Sequence, residues 1–207
     1  MKPYFTTRRW LELLRGLPPH GALLHASSIG LLAELNPKAA RQAIWRMTGQ
    51  GLLTHIGGGW YTHAFARLSI EEAAAVLVRP SYITVESALV AAGVTTQPSA
   101  ALTCATLEPT QTRRTPLGGI HYHSIARSLF WGFDARISRN GLHTLVAWPE
   151  KALLDLIYLS RRRGDRVWLD LDFSRLDPRR LRECAARFPA TVASELERLR
   201  ESRVLSA

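Results

Sequence analysis

The stretch His25–Thr62, HASSIGLLAELNPKAARQAIWRMTGQGLLTHIGGGWYT, decides how the rest of the chain is read. Pro37 suits a first helical position, where its missing N–H has no helical partner, and Asn36 before it suits an N-cap. The spacing predicts a helix from Lys38 to Gln50, ended by Gly49 and Gly51. At about 3.6 residues per turn, Ala40, Ala43, Ile44 and Met47 share one face, which should be buried. Lys38, Gln42, Trp45 and Arg46 point the other way, with Arg41 on the flank. Duplex DNA accepts that chemistry. Arg and Lys bond guanine O6 and N7, Gln bonds adenine N6 and N7, and spare cations hold phosphates. A shorter helix, Ser27–Leu35, should brace this one across a tight turn. Leu52–Ile56 and Trp60–Thr62 then read as two strands joined through Gly57, Gly58 and Gly59. A glycine-tipped hairpin directly after such a helix is a wing. Ser27, His55, Gly58, Trp60 and Tyr61 therefore join the five helix residues as candidate DNA contacts. A basic amphipathic helix that only covers a core has a similar composition. The order of helix, turn, helix and hairpin favours DNA.

The chain of 207 residues carries a formal charge of +10 and a pI near 10.5, which favours a polyanionic partner. Residues 1–66 hold seven Lys and Arg against two acidic residues, and residues 161–207 hold twelve against eight. The middle, 67–160, is nearly balanced at eight against seven. The expected architecture is α+β: a winged helix-turn-helix domain over 1–66, then a mixed α/β domain over 67–207. Cys104 and Cys184 are too few for a disulfide framework, and buried thiols in a reducing cytoplasm are expected. No apolar run approaches the ~20 residues of a membrane span.

Outward from the centre, Thr7–Leu17 should be a helix with Trp10, Leu11 and Leu14 inward, stopped by Pro18 and Pro19. Gly21–Leu24 suits a short strand beside the wing. After a connector at His63–Leu68, Ser69 should cap a helix with Glu71 and Glu72 in its first turn. Ser81–Gly93 reads as a further helix. Ala101–Leu107, Ile120–Ile125 and Leu142–Val146 read as strands, with Phe130, Trp131 and Phe133 as an aromatic core cluster. Pro149 opens a helix whose apolar side is Ala152, Leu153, Leu156 and Leu159. Asp177 should cap a helix that starts at Pro178, and Thr191–Glu201 a last one.

Signs of catalysis are thin. Asp170 and Asp172 could hold Mg²⁺ for nucleotidyl transfer, but two carboxylates are few for a metal, and capping of the next helix is the simpler reading. His121 and His123 share a strand face and could bind Zn²⁺ with two more ligands, for which only Cys104 and His143 offer themselves. Glu150 and Lys151 are adjacent, so on a helix they diverge rather than form a nuclease pair. No enzyme activity, cofactor or metal is expected.

Four segments in this order, QGLLTHIGGGWYT, PSYITVESALVAAGV, GGIHYHSI and AWPEKALLDLIYL, resemble the AbiEi-type antitoxins of type IV toxin–antitoxin systems. The resemblance spans most of the chain. It implies an N-terminal winged helix that represses its own operon, commonly at inverted repeats in double-stranded DNA. It also implies a C-terminal domain that counters a nucleotidyltransferase-type toxin without a catalytic site. DNA contacts would then fall on Lys38, Arg41, Gln42, Trp45, Arg46 and the wing. Pro149, Glu150, Lys151 and Asp155 match the C-terminal signature and imply caps and an internal ion pair. A stand-alone transcription factor of the same build, with a dimerising or ligand-sensing C-terminal domain, is the alternative. A metal-dependent nucleotidyltransferase or nuclease ranks behind both.

Overall fold

In the computed structural model, which describes residues 6–97, 99–167 and 170–204, the chain begins with helix α1 (Thr7–Arg15), with Trp10 and Leu14 buried. Pro19–Ala22 forms a 3₁₀ turn, so of the strand expected over Gly21–Leu24 only Leu23 and Leu24 are extended; Pro18 and Pro19 fix the backbone before them. Strand β1 (Leu23–His25) and helix α2 (Ala26–Leu32) follow. Helix α3 (Pro37–Gly49) starts as expected, with Asn36 Oδ1 accepting a hydrogen bond from Ala39 N at 2.9 Å. Its face of Ala40, Ala43, Ile44 and Met47 is buried. α2 and α3 approach so closely that a Cβ on Gly30 would lie 3.1 Å from Ala40 Cβ.

Strands β2 (Leu53–Gly57) and β3 (Trp60–His63) form an antiparallel hairpin, with Gly57 opposite Trp60. Gly58 and Gly59 between them have φ of 56° and 81°, the left-handed pair that a two-residue turn of this hand requires. β1 completes a sheet ordered β1-β3-β2.

Helix α4 (Ile70–Leu77) opens with a capping box: Glu72 N donates to Ser69 Oγ at 3.3 Å, and Ser69 N to Glu72 Oε2 at 2.7 Å. The expected helix over Ser81–Gly93 is instead a strand, β4 (Ser81–Ile83), then helix α5 (Val85–Ala91). Tyr82 and Ile83 are good strand formers, and sheet pairing captures them. Then come β5 (Leu102–Thr106), β6 (Gln111–Thr115), β7 (Gly118–Ser124), β8 (Phe133–Ile137) and β9 (His143–Ala147). The expected single strand near Ile120 is thus the second half of a hairpin. The six strands form a mixed sheet ordered β6-β7-β5-β4-β9-β8.

One sheet face takes α4, where Tyr122 Oη donates to Ala74 O at 2.9 Å. The other takes α5 and helix α6 (Pro149–Arg163). Helices α7 (Pro178–Ala185) and α8 (Ala190–Val204) pack on α6. Asp177 caps α7, accepting from Arg179 N at 2.8 Å. α6 was expected to bury one stripe, yet ten of its residues are buried, because sheet, α5, α7 and α8 surround it. No helix among the described residues is long and apolar enough to cross a membrane.

Lys151 and Asp155 lie one turn apart on α6 and form a fully buried ion pair. Lys151 Nζ also donates to Tyr82 Oη at 2.8 Å, and Tyr82 Oη and Thr84 Oγ1 donate to Asp155 Oδ2 at 2.9 and 2.8 Å. The rings of Tyr82, Trp131 and Phe188 stand 5.1–5.3 Å from the ammonium. Burial pushes the lysine pKa down and the aspartate up, each opposed by its partner. Breaking a buried pair strands a charge, so Asp155→Asn should cost about 3–5 kcal/mol in urea unfolding. The double variant Lys151→Met, Asp155→Leu should recover a large part of that loss. An Asp155→Asn cost below about 1 kcal/mol would show that the pair is not what ties α6 to β4.

Candidate nucleic-acid interface

Lys38, Arg41, Gln42 and Trp45 form one exposed stripe along α3, spaced so that they lie on successive turns of one side. Trp45 is 77% exposed, an unusual state for an indole. Arg46 is half-buried at the stripe's edge and has an interaction of its own. The larger contacts of α3 are with α2 and β2, which leaves this stripe facing outward.

Beside the stripe runs a groove of about 850 Å³ between α2, α3 and the hairpin. Ser27, Arg41, Trp45, His55 and Tyr61 all line it, so the fold brings five of the ten candidate residues to one place. Ser27 Oγ is 2.8 Å from His25 Nδ1, at the start of α2. The rings of His55 and Tyr61 are 4.9 Å apart across the hairpin. Leu31, 79% exposed, also lines this groove, and the sequence reading missed it. Its signal was a leucine on the side of α2 away from buried Ile29.

Gly58 and Trp60 lie elsewhere. Trp60 is half-buried and packs on the apolar core of the C-terminal half. Gly58 lines a separate cleft with Leu77, Arg113 and Arg114. The hairpin therefore leans on the C-terminal half through one face, and only the His55–Tyr61 face looks toward the α3 groove.

The other candidate sites do not assemble. Sheet register pairs His121 with Thr103 and Tyr122 with Cys104, so Cys104 projects from the face opposite His121 and His123. His143 sits on β9, three places away from β7 in the sheet. Among the described residues no group of three His, Cys, Asp or Glu could hold a metal ion. Asp172 caps a 3₁₀ turn, accepting from Ser174 N at 3.0 Å and Ser174 Oγ at 2.6 Å, and these bonds lower its pKa. Asp170 N donates to Gln97 Oε1 at 3.2 Å. Both aspartates line a hollow of about 850 Å³ with Arg175 and Arg200. Glu150 Oε1 accepts from Asp177 N at 2.8 Å, which fixes α7 to α6.

No protein-family model matches this chain, and no curated protein matches it.

Two outcomes follow. Trp45→Ala should change stability by no more than about 0.5 kcal/mol, since an exposed side chain leaves no cavity; a loss of 3 kcal/mol or more, the range for a core aromatic, would place the indole inside. His63, buried at the end of β3, has its pKa lowered below 6.5 by burial, against a weaker opposing influence of the Gly21 backbone carbonyl, which favours the protonated ring. Below pH 6.5 the unfolded chain takes up a proton that the folded His63 refuses. Stability should therefore fall as pH drops through that value, and His63→Gln should flatten the decline in urea midpoints. An equal slope in both proteins would contradict the assignment.

Proposed function

We propose that residues 1–66 form a winged helix-turn-helix that binds duplex DNA, and that the chain acts as a transcriptional autorepressor and antitoxin of the AbiEi type. The observation that carries the DNA-binding reading is the open stripe of Lys38, Arg41, Gln42 and Trp45 on α3. The element order α1, β1, α2, α3, β2, β3 is that of a helix-turn-helix followed by a wing. Cations and an amide on one helix face can reach phosphates and base edges together. In this reading α3 enters the major groove and α2 crosses the backbone. The hairpin, held from behind, supports α3 through His55 and Tyr61 more than it probes DNA with its tip.

The antitoxin part rests on the four-segment resemblance. Its last segment, AWPEKALLDLIYL, forms β9's end and α6, with the internal Lys151–Asp155 pair that the resemblance implies. A largely buried α6 signature suits a scaffold, so a partner toxin would meet other surfaces of the C-terminal half.

Duplex fragments selected from genomic DNA by the purified chain supply the operator for the test. Lys38→Ala and Arg46→Ala should each weaken binding to it. A side chain that reads a base costs about 1–3 kcal/mol at one sequence position, whereas one that holds a phosphate weakens all duplexes alike and lowers the salt slope by about one. Unchanged binding in both variants would remove α3 from the interface. Co-expression with a nucleotidyltransferase-type toxin encoded beside the gene should restore growth; failure to do so would leave the stand-alone regulator.

A further inference from the structure

Strand β8 is an outer edge of the larger sheet, and its far side pairs with no other described strand. At the two ends of the β8–β9 ladder, Trp148 N donates to Gly132 O at 3.0 Å and Ser138 N to Leu142 O at 2.9 Å. Antiparallel pairing alternates along a strand. Asp134 and Arg136 therefore turn their N–H and C=O groups toward β9, and Phe133, Ala135 and Ile137 turn theirs outward. Side chains alternate as well. Phe133 stacks on Tyr82 with ring centroids 4.8 Å apart, and Tyr82 bonds Asp155 of α6. Phe133, Ala135 and Ile137 thus lie on the face that packs α6, and Asp134 and Arg136 on the other. Asp134, Ala135 and Arg136 are exposed, and Ile137 is 69% exposed. Neither the carboxylate of Asp134 nor the guanidinium of Arg136 has a partner among the described residues.

We propose that two copies of this chain join antiparallel along β8, across a two-fold axis at Ala135, so that their larger sheets continue into one another. The segment Phe133-Asp134-Ala135-Arg136-Ile137 is complementary to itself in that register. Phe133 meets Ile137 of the second copy, Asp134 meets its Arg136, and Ala135 meets its Ala135. The outward N–H and C=O groups of Phe133, Ala135 and Ile137 then bond across the axis. Asp134 and Arg136 fall in the closer pairs between those bonds, where opposite charges stabilise and like charges do not. The neighbouring registers with the same hydrogen-bond alternation are centred on Asp134 or on Arg136. They set carboxylate against carboxylate or guanidinium against guanidinium, so charge selects the Ala135 register. The other outer edge of the sheet lacks this property. β6 carries Arg113 and Arg114 and no acidic residue, so a second copy would meet only like charge there. β8 shares no residue with α3 or its groove, and the inference stands apart from the DNA-binding reading.

Sedimentation velocity of the full chain is the test. One strand edge is smaller than a standard protein interface, so the monomer–dimer transition should fall at about 1–100 µM. Asp134→Arg and Arg136→Asp should each weaken the dimer at least about tenfold, and the two changes together should return it to within about threefold of the wild type. Mixing the two single variants should likewise produce a mixed dimer. Ala135→Cys sits on the axis, so a short bismaleimide should link two copies through it, while Cys104 and Cys184 are buried. A wild-type chain that stays monomeric throughout that range overturns the proposal. So does a dimer that both single variants leave intact, that the double change fails to restore, or that Ala135→Cys fails to link, since another surface then holds it. Matching thermal melts of the variants confirm that they fold.

Discussion

The small sheet β1-β3-β2 is apolar on both faces, and the rest of the molecule is arranged around that fact. Leu24, Leu53 and Tyr61 pack with Trp10, Leu14, Ile29 and Met47 in one core. Leu23 and Ile56 belong to the other core, with Trp60 packed against it. Burying a leucine or isoleucine side chain is worth roughly 1.5–3 kcal/mol, so the second face is a substantial anchor. That packing occupies the back of the hairpin, while α3 and α1, the latter through Arg8, Arg9, Glu12 and Arg15, each turn a charged face outward.

The two halves solve different problems. In the first, the buried face of α3 is alanine, isoleucine and methionine, and Lys38 and Arg41 lie in solvent. In the second, a lysine and an aspartate are taken fully inside and satisfied by Tyr82 and Thr84. Such a pair adds little net stability over well-packed apolar residues, but it demands one register of α6 against β4. The aromatic rings around Lys151 come from β4, the segment before β8 and the loop after α7, so a single ammonium ties four parts of the C-terminal half together.

The N-terminal half was legible because its signals are local. Asn36-Pro37 starts α3, glycines close the hairpin, and apolar spacing gives the buried face. The C-terminal half was legible where caps are local, as at Ser69, Pro149 and Asp177, and obscure where pairing is distant. Ser81–Ile83 has no period long enough to show that it is a strand, and only its slot between β5 and β9 makes it one. The site was read in part: sequence spacing found the α3 stripe, but nothing local shows that Trp60 turns inward or that Arg113 and Arg114 come to rest beside Gly58.

Hydroxyl-radical labelling of the intact chain, with and without saturating duplex DNA, bears most directly on the outward face of α3. The indole of Trp45 is 77% exposed, and Ile137, 69% exposed on β8 at the far edge of the larger sheet, serves as the internal reference. DNA lying on α3 should suppress oxidation of Trp45 several-fold and leave Ile137 unchanged. Equal labelling of Trp45 with and without bound duplex would contradict the account.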